Sequence, residues 1–231
     1  DTQRGGAVLE LCDVMAVRPG VTALIGSGGK TTMLYTLARE LSRRGHVLCC
    51  TTTHILPPAH LPVLVDPTAE QLRQAADGPC LCAGCTAGEG KLGPLSQTME
   101  DLAALWDYVL VEADGSRGLP LKAHAPHEPV IPACAGQTIL VVGAGGLGRP
   151  VQEAVHRPEI FCRLARCGMD DPAEPGRVAA VLRAENLGDK VFLNQADLPG
   201  QRAAALELAK QLERPVFLGA LKRKEWTTCA L

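Results

Sequence analysis

Lys30, Thr31 and Thr32 directly follow Gly26-Ser27-Gly28-Gly29, a spacing suited to phosphate capture. Glycines let backbone N–H groups converge on a polyphosphate at a helix N-terminus, where the helix dipole also favours an anion. Lys30 is placed to reach the outer phosphates, and the Thr31 hydroxyl to ligate Mg²⁺. The common pattern G-x-x-x-x-G-K-[ST] asks for glycine six residues before the lysine. Leu24 stands there, and the first glycine is Gly26. The compact form is therefore G-x-G-G-K-T-T.

A second set of candidates closes the run Tyr108-Val-Leu-Val-Glu112-Ala-Asp114-Gly115, which has the form of a Walker B strand. A carboxylate just past such a strand can hold Mg²⁺ and orient a nucleophile. Glu112 and Asp114 are in phase on an extended chain. Asp114 is favoured for the metal shell, and Glu112 as metal ligand or water-orienting base.

A third set follows another apolar run, as Asn194-Gln195-Ala196-Asp197. N-x-x-D after a strand is similar to the guanine-reading element of GTPases. The carboxylate of Asp197 can accept from the ring N–H and the amino group of guanine, where adenine offers an acceptor. Gln195 stands where the usual form has lysine. Gly219 to Lys222, after a later strand, lies where GTPases place a further base-contacting loop. GTP is thus preferred over ATP. Thr51 to His54, including Thr53, could sense a terminal phosphate, or could simply end a β-prone strand.

Two other clusters have competing readings. Gly143-Ala-Gly-Gly-Leu-Gly148 formally matches a dinucleotide loop, but Arg149-Pro150 follow and no acidic strand end stands at the expected distance. A close turn is the better reading. Cys80, Cys82 and Cys85 could hold a soft metal or selenium, or carry thiol chemistry, although closed thiolate sites usually take four ligands. Several of the ten cysteines lie inside apolar runs, which argues against a disulfide framework.

The elements that must position these residues alternate between two periods. Short apolar runs at 21–25, 47–53, 61–65, 79–83, 108–112, 138–142, 191–194 and 215–218 read as strands, the last being the final one. Apolar residues at Met33, Leu34, Leu37, Ala38 and Leu41 carry the helical period after Lys30. A further helix is expected to open at Thr68, with a Thr68/Gln71 capping box, and others over 98–105, 158–167, 176–185 and 200–212. Gly84 to Pro94 reads as a glycine-rich loop. Continuous apolar strands separated by helices predict an α/β fold, P-loop NTPase-like, with a mostly parallel sheet covered by helices on both faces. One domain over 1–231 is expected, with ligands beyond the carboxyl ends of the strands.

The connection from Gly115 to Pro132 is long, with prolines at 120, 126, 129 and 132. Long irregular segments in compact domains are usually functional or disordered, and the proline spacing favours an ordered loop. Arg117, Lys122, His127 and Glu128 are therefore assigned to a second-substrate or partner site, the alternative being a polar surface connection. Arg157 could neutralise phosphate, or could cap and pack the helix that Pro158 opens. Net charge is −2 and the pI about 6.3, which gives no electrostatic case for nucleic acid or anionic membranes. No apolar stretch approaches the ~18 residues of a spanning helix, and the start shows no signal-peptide pattern. A cytoplasmic protein is expected. The first residue is Asp1 rather than methionine, so the natural start is expected upstream.

Taken together, the chain resembles the YqeC-type family of accessory proteins of selenium-dependent molybdenum hydroxylases. The resemblance rests on 25–32, Thr51-Thr-Thr-His54, Glu112-Ala-Asp-Gly-Ser-Arg-Gly118, Leu121-Lys122, Pro126-His-Glu-Pro-Val-Ile-Pro132, His156-Arg-Pro-Glu159 and Asn194-Gln-Ala-Asp197. It implies a role in maturing such a hydroxylase, with that enzyme or a cofactor-assembly protein as partner. Gln195 departs from the expected lysine. His124 stands where proline is expected, a change expected to matter little. The compact phosphate loop is also similar to that of Mur-type ligases, which keeps open an ATP-dependent enzyme acting on a small substrate. A thiol- or selenium-carrying protein built on Cys80, Cys82 and Cys85 is the third alternative.

Overall fold

The computed structural model describes residues 9–229. Its strands are β1 Gly20–Gly26, β2 Val47–Thr51, β3 Val63–Val65, β4 Cys80–Ala87, β5 Lys91–Gly93, β6 Tyr108–Glu112, β7 Leu121–Lys122, β8 Ala135–Gly143, β9 Val155–His156, β10 Lys190–Asn194, β11 Val216–Ala220 and β12 Glu225–Cys229. Its α-helices are α1 Leu11–Val14, α2 Lys30–Leu41, α3 Ala69–Ala75, α4 Met99–Leu105, α5 Val151–Ala154, α6 Pro158–Ala165, α7 Pro175–Glu185 and α8 Gln201–Ala209.

Ten strands form one sheet in the order β12-β11-β10-β8-β1-β6-β2-β4-β3, with β5 also paired to β4. All neighbours along the path are parallel except β12, which is antiparallel to β11; β5 is antiparallel to β4. β1 alternates its burial between two layers. Ala23 and Ile25 join a core with Phe161, Val178 and Leu208 from α6, α7 and α8. Leu24 joins the opposite core with Leu11 and with Met33, Leu34 and Leu37 of α2. Each fully buried side chain of this size contributes about 1.5–3 kcal/mol, so α2 is fixed by its apolar face. This is the P-loop NTPase-like α/β architecture, with helices on both faces of the sheet.

Several boundaries differ from expectation for identifiable reasons. Gly84–Pro94 is no loop: β4 runs to Ala87 and turns through Glu89 and Gly90, both at positive φ, into β5. β2 stops at Thr51, whose hydroxyl donates to the Glu112 carbonyl at 2.7 Å and accepts from the Thr53 N–H at 2.9 Å. The strand near 216 is not the last, because a 3₁₀ turn at Leu221–Arg223 leads into β12. β8 begins three residues earlier than expected. The long connection contains β7, paired in parallel with β9 as a separate two-stranded ribbon. The capping box at Thr68 and Gln71 is present. Among the described residues no helix is long and apolar enough to cross a membrane.

Candidate functional site

The sheet order places the candidate residues side by side. β1 delivers the glycine loop, with β6 on one side and β8 and then β10 on the other. Leu24 of β1 is level with Glu112 of β6, and Asn194 of β10 with Gly143 of β8. These strand ends open on a cavity of about 1210 Å³. Gly28 to Thr32, Glu112, Gly115 to Gly118, and Asn194, Gln195 and Asp197 all line it.

The phosphate loop is held by close backbone approaches. Gly28 has φ +78°, and a Cβ on it would lie 2.4 Å from the Gly143 Cα. Gly29 has φ +140°, and a Cβ there would lie 2.3 Å from the Asn194 side-chain nitrogen. Gly28 is required by fit and by backbone conformation, and Gly29 by backbone conformation, where a Cβ would also displace the Asn194 amide. The Ser27 hydroxyl donates to the Pro120 carbonyl at 2.8 Å, and the Gly143 N–H donates to the same oxygen at 2.9 Å. Gly143-Ala-Gly-Gly thus packs on the phosphate loop as a close turn, which explains its small residues.

Lys30 is buried. Its ammonium donates to the Gly26 carbonyl at 2.6 Å and lies 3.2 Å from Asp114 Oδ1 and 4.0 Å from Glu112. The Thr31 hydroxyl donates to Glu112 Oε2 at 2.8 Å. Thr31 and Glu112 both line the cavity and offer hard oxygen donors in contact, which suits Mg²⁺. Burial raises the Glu112 carboxyl above its ordinary range, against the opposing pull of Lys30 and Thr31.

Asp114, favoured from sequence for the metal shell, is placed elsewhere. It is 0% exposed, lies beneath the loop and does not line the cavity. Its Oδ2 accepts from the Gly26 N–H at 2.9 Å and from His124 Nε2 at 2.9 Å, and lies 3.0 Å from the Lys122 ammonium. Burial alone would raise this carboxyl. The His124 hydrogen bond, Lys30, Lys122 and the Gly26 N–H reverse the sign and hold it down at about 2.

His124, expected to matter little, is in fact a junction. Its Nε2 faces Asp114, and its Nδ1 faces Glu185 Oε2 at 2.8 Å. A carboxylate on each ring nitrogen favours the doubly protonated imidazolium. Burial works against that charge, but the Asp114 and Glu185 hydrogen bonds outweigh it and raise the pKa. Sequence patterning could not show this, because Glu185 arrives from the end of α7, 61 residues away.

The long connection divides in two. Lys122 is buried between Asp114 and Glu128, each at 3.0 Å, and donates to the Gly115 carbonyl at 2.6 Å. Glu128 in turn meets Arg157 at 2.9 Å. Lys122 and Arg157 therefore anchor the connection and do not line the cavity, while Glu128 lies on its wall. Arg117, Thr53 and His54 line the cavity, and His127 is exposed away from it. Lys91 and Arg149 also line it, an assignment not made from sequence because neither lies in a motif.

At the other end, Asn194 Nδ2 donates to the Gly28 carbonyl at 2.7 Å, and its Oδ1 accepts from the Leu221 N–H at 3.0 Å. One side chain joins the phosphate loop to the loop after β11. Asp197 pairs with Arg223 at 2.9 Å. Gln195 has φ +64°, and its side-chain oxygen accepts from the Gly145 N–H at 3.3 Å.

The cysteine cluster takes the core reading. Cys80 and Cys82 are buried in β4, and Cys85 is half-buried farther along the strand. Among the described residues they form no close group of metal-ligating atoms; the one such group is Glu10, Cys12 and Asp13, whose carboxylates are engaged by Arg43 and Arg44.

Residues 22–159 match the family model described as YqeC protein. A relative from Escherichia coli (strain K12), "Uncharacterized protein YqeC", is 37% identical over 177 residues, covering 72% of this chain and 68% of that protein. Among solved structures, the crystal structure of FlhF complexed with GMPPNP/Mg(2+) aligns with a TM-score of 0.46 at 16% identity, covering 93% of this chain and 71% of that one.

Proposed function

The chain belongs to the YqeC family, and we propose that it is a Mg²⁺-dependent, GTP-preferring nucleotide-binding protein that hydrolyses nucleotide slowly. The observation that carries this reading is the meeting, around one cavity, of Lys30, Thr31 and Glu112 with Asn194 and Asp197. Separate pieces of sequence supply a phosphate cradle and a base reader, and the Asn194 side chain ties them together.

Gly28, Gly29 and the N-terminus of α2 present N–H groups to the phosphates, and Lys30 neutralises the charge that develops there. Thr31 and Glu112 would hold Mg²⁺, which neutralises phosphate oxygens when bound. Glu112, made more basic by burial, can also orient the attacking water. Asp114 acts from below, fixing Gly26 and Lys30. It is reassigned from metal ligand to positioning residue. Arg117, Thr53 and His54 border the same cavity and would meet a second substrate or partner.

The client role follows from the family resemblance: nucleotide state sets the 115–132 connection, and a molybdenum hydroxylase or cofactor-assembly protein reads it. Phosphoryl transfer from ATP to a small co-substrate is the competing enzyme reading, and it predicts strong stimulation of turnover by that co-substrate.

Asp197→Asn tests the base reader. Guanine presents an amino donor where xanthine presents an oxygen, so the amide should trade GTP for xanthosine triphosphate. A loss of GTP affinity of roughly a hundredfold, with a matching gain for the xanthine nucleotide, is the expected result. Unchanged GTP binding in the variant would remove Asp197 from the base site.

A further inference from the structure

A second cavity, of about 650 Å³, runs along the side of α2. One wall is Leu56 to Leu61, the other the turn at Leu221 and Lys222 with Lys224 beyond it. It shares Thr31, Thr32, Leu56, Leu221 and Lys222 with the nucleotide cleft, so the two spaces adjoin. Its volume lies within the ~300–1,000 Å³ of small-molecule sites.

The chemistry of the lining is specific. Leu56, Leu61 and Leu221 give apolar surface, and Leu56 is 61% exposed into solvent. The Tyr35 hydroxyl donates to the Leu56 carbonyl at 3.0 Å and fixes that wall to α2. Arg39, Lys222 and Lys224 supply positive charge, and no carboxylate is in the lining. None of these three cations enters an ion pair among the described residues. Other surface cations here do, as Arg43, Arg44 and Arg73 show. A largely apolar cavity with three unpaired cations in its lining complements one class of ligand.

We infer that this cavity binds a small organic anion with a flat apolar body, such as an aromatic phosphate, beside the nucleotide. The apolar walls take the ring, and Arg39 and Lys224 take the anionic group. The site stands without the nucleotide assignment; only its place beside a bound nucleotide rests on that reading.

Calorimetric titration of the full chain with 1-naphthyl phosphate tests this, with 1-naphthol and inorganic phosphate as partial ligands. Wild type should bind 1-naphthyl phosphate with Mg²⁺–GTP present or absent, and each partial ligand should bind about tenfold more weakly. Arg39→Glu and Lys224→Glu lie on exposed positions outside the nucleotide cleft. Each should weaken 1-naphthyl phosphate by roughly five- to tenfold, with unchanged thermal midpoint and unchanged Mg²⁺–GTP binding. No binding by wild type, equal binding in both variants, or loss in Lys30→Ala together with displacement by GTP would overturn the proposal. Failure of GTP itself to bind would refute the nucleotide reading, while the titration without nucleotide would still decide this site.

Discussion

The side-chain amide of Asn194 donates to the carbonyl of Gly28 at 2.7 Å. The end of β10 and the phosphate loop are therefore one mechanical unit, and the same side chain accepts from Leu221. A residue read from sequence as a base contact acts here as a clamp between three segments.

Asn194→Ala leaves the Leu221 N–H and the Gly28 carbonyl without their partner. Buried groups orphaned in this way cost about 1–3 kcal/mol. The expected outcome is a lowered denaturation midpoint together with weaker binding of GTP and ATP alike, measured by urea unfolding and calorimetry. A selective loss of GTP with unchanged stability would make Asn194 a base reader only.

Asp114 and Glu112 should separate cleanly. Asp114→Ala strips Lys122 and His124 of a buried counter-charge, and breaking such a network costs about 3–5 kcal/mol. Glu112→Gln keeps the shape and the Thr31 contact, so its effect should fall on Mg²⁺ dependence more than on folding. Stability and Mg²⁺ titrations of both variants check the assignment. A normal melt with lost Mg²⁺ dependence in Asp114→Ala would return that residue to the metal shell.

His124 predicts a pH dependence whose sign can be worked out. Its folded pKa is raised above the ordinary 6.5 by Asp114 and Glu185. A raised value means the stabilisation is fully present below the unfolded pKa and is lost as pH rises through the folded one. Lys122 also contacts Asp114, and its positive charge opposes that of His124. The stability difference between wild type and His124→Gln should therefore be largest near pH 6 and shrink well above it. A difference that grows with pH would mean that the histidine is neutral in the folded protein.

Thiol labelling tests the core reading of the cysteines. Burial pushes the Cys82 thiol up to about 12 and also raises Cys49 and Cys50. For Cys49, the neighbouring Cys80 thiol is the largest cause, ahead of burial. These thiols should resist a disulfide reagent at neutral pH until the chain is unfolded. Fast labelling of Cys82 in the folded protein, with loss of nucleotide binding, would revive the thiol-chemistry alternative.

The site was legible wherever the chemistry is local in sequence. The loop at 26–32, the strand end at Glu112 and the Asn194–Asp197 turn each follow an apolar run, and the parallel order brings them to one edge. Residues paired across long separations were not legible. Asp114 and Glu112 are two positions apart and look equivalent in sequence, yet burial and His124 send one beneath the loop and leave the other on the cleft. His124 looked incidental because its partner Glu185 lies on α7. The β4–β5 hairpin was missed because its glycines read as loop, although Thr86 and Leu92 pair across it.

The nucleotide assignment is tested most directly by calorimetric titration of wild type and Lys30→Ala with the Mg²⁺ complexes of non-hydrolysable GTP and ATP analogues. The expected result is tight binding of the GTP analogue, weaker binding of the ATP analogue, and loss of both in the variant. ATP preference would contradict the base reader at Asp197, and equal binding by wild type and variant would contradict the phosphate loop itself.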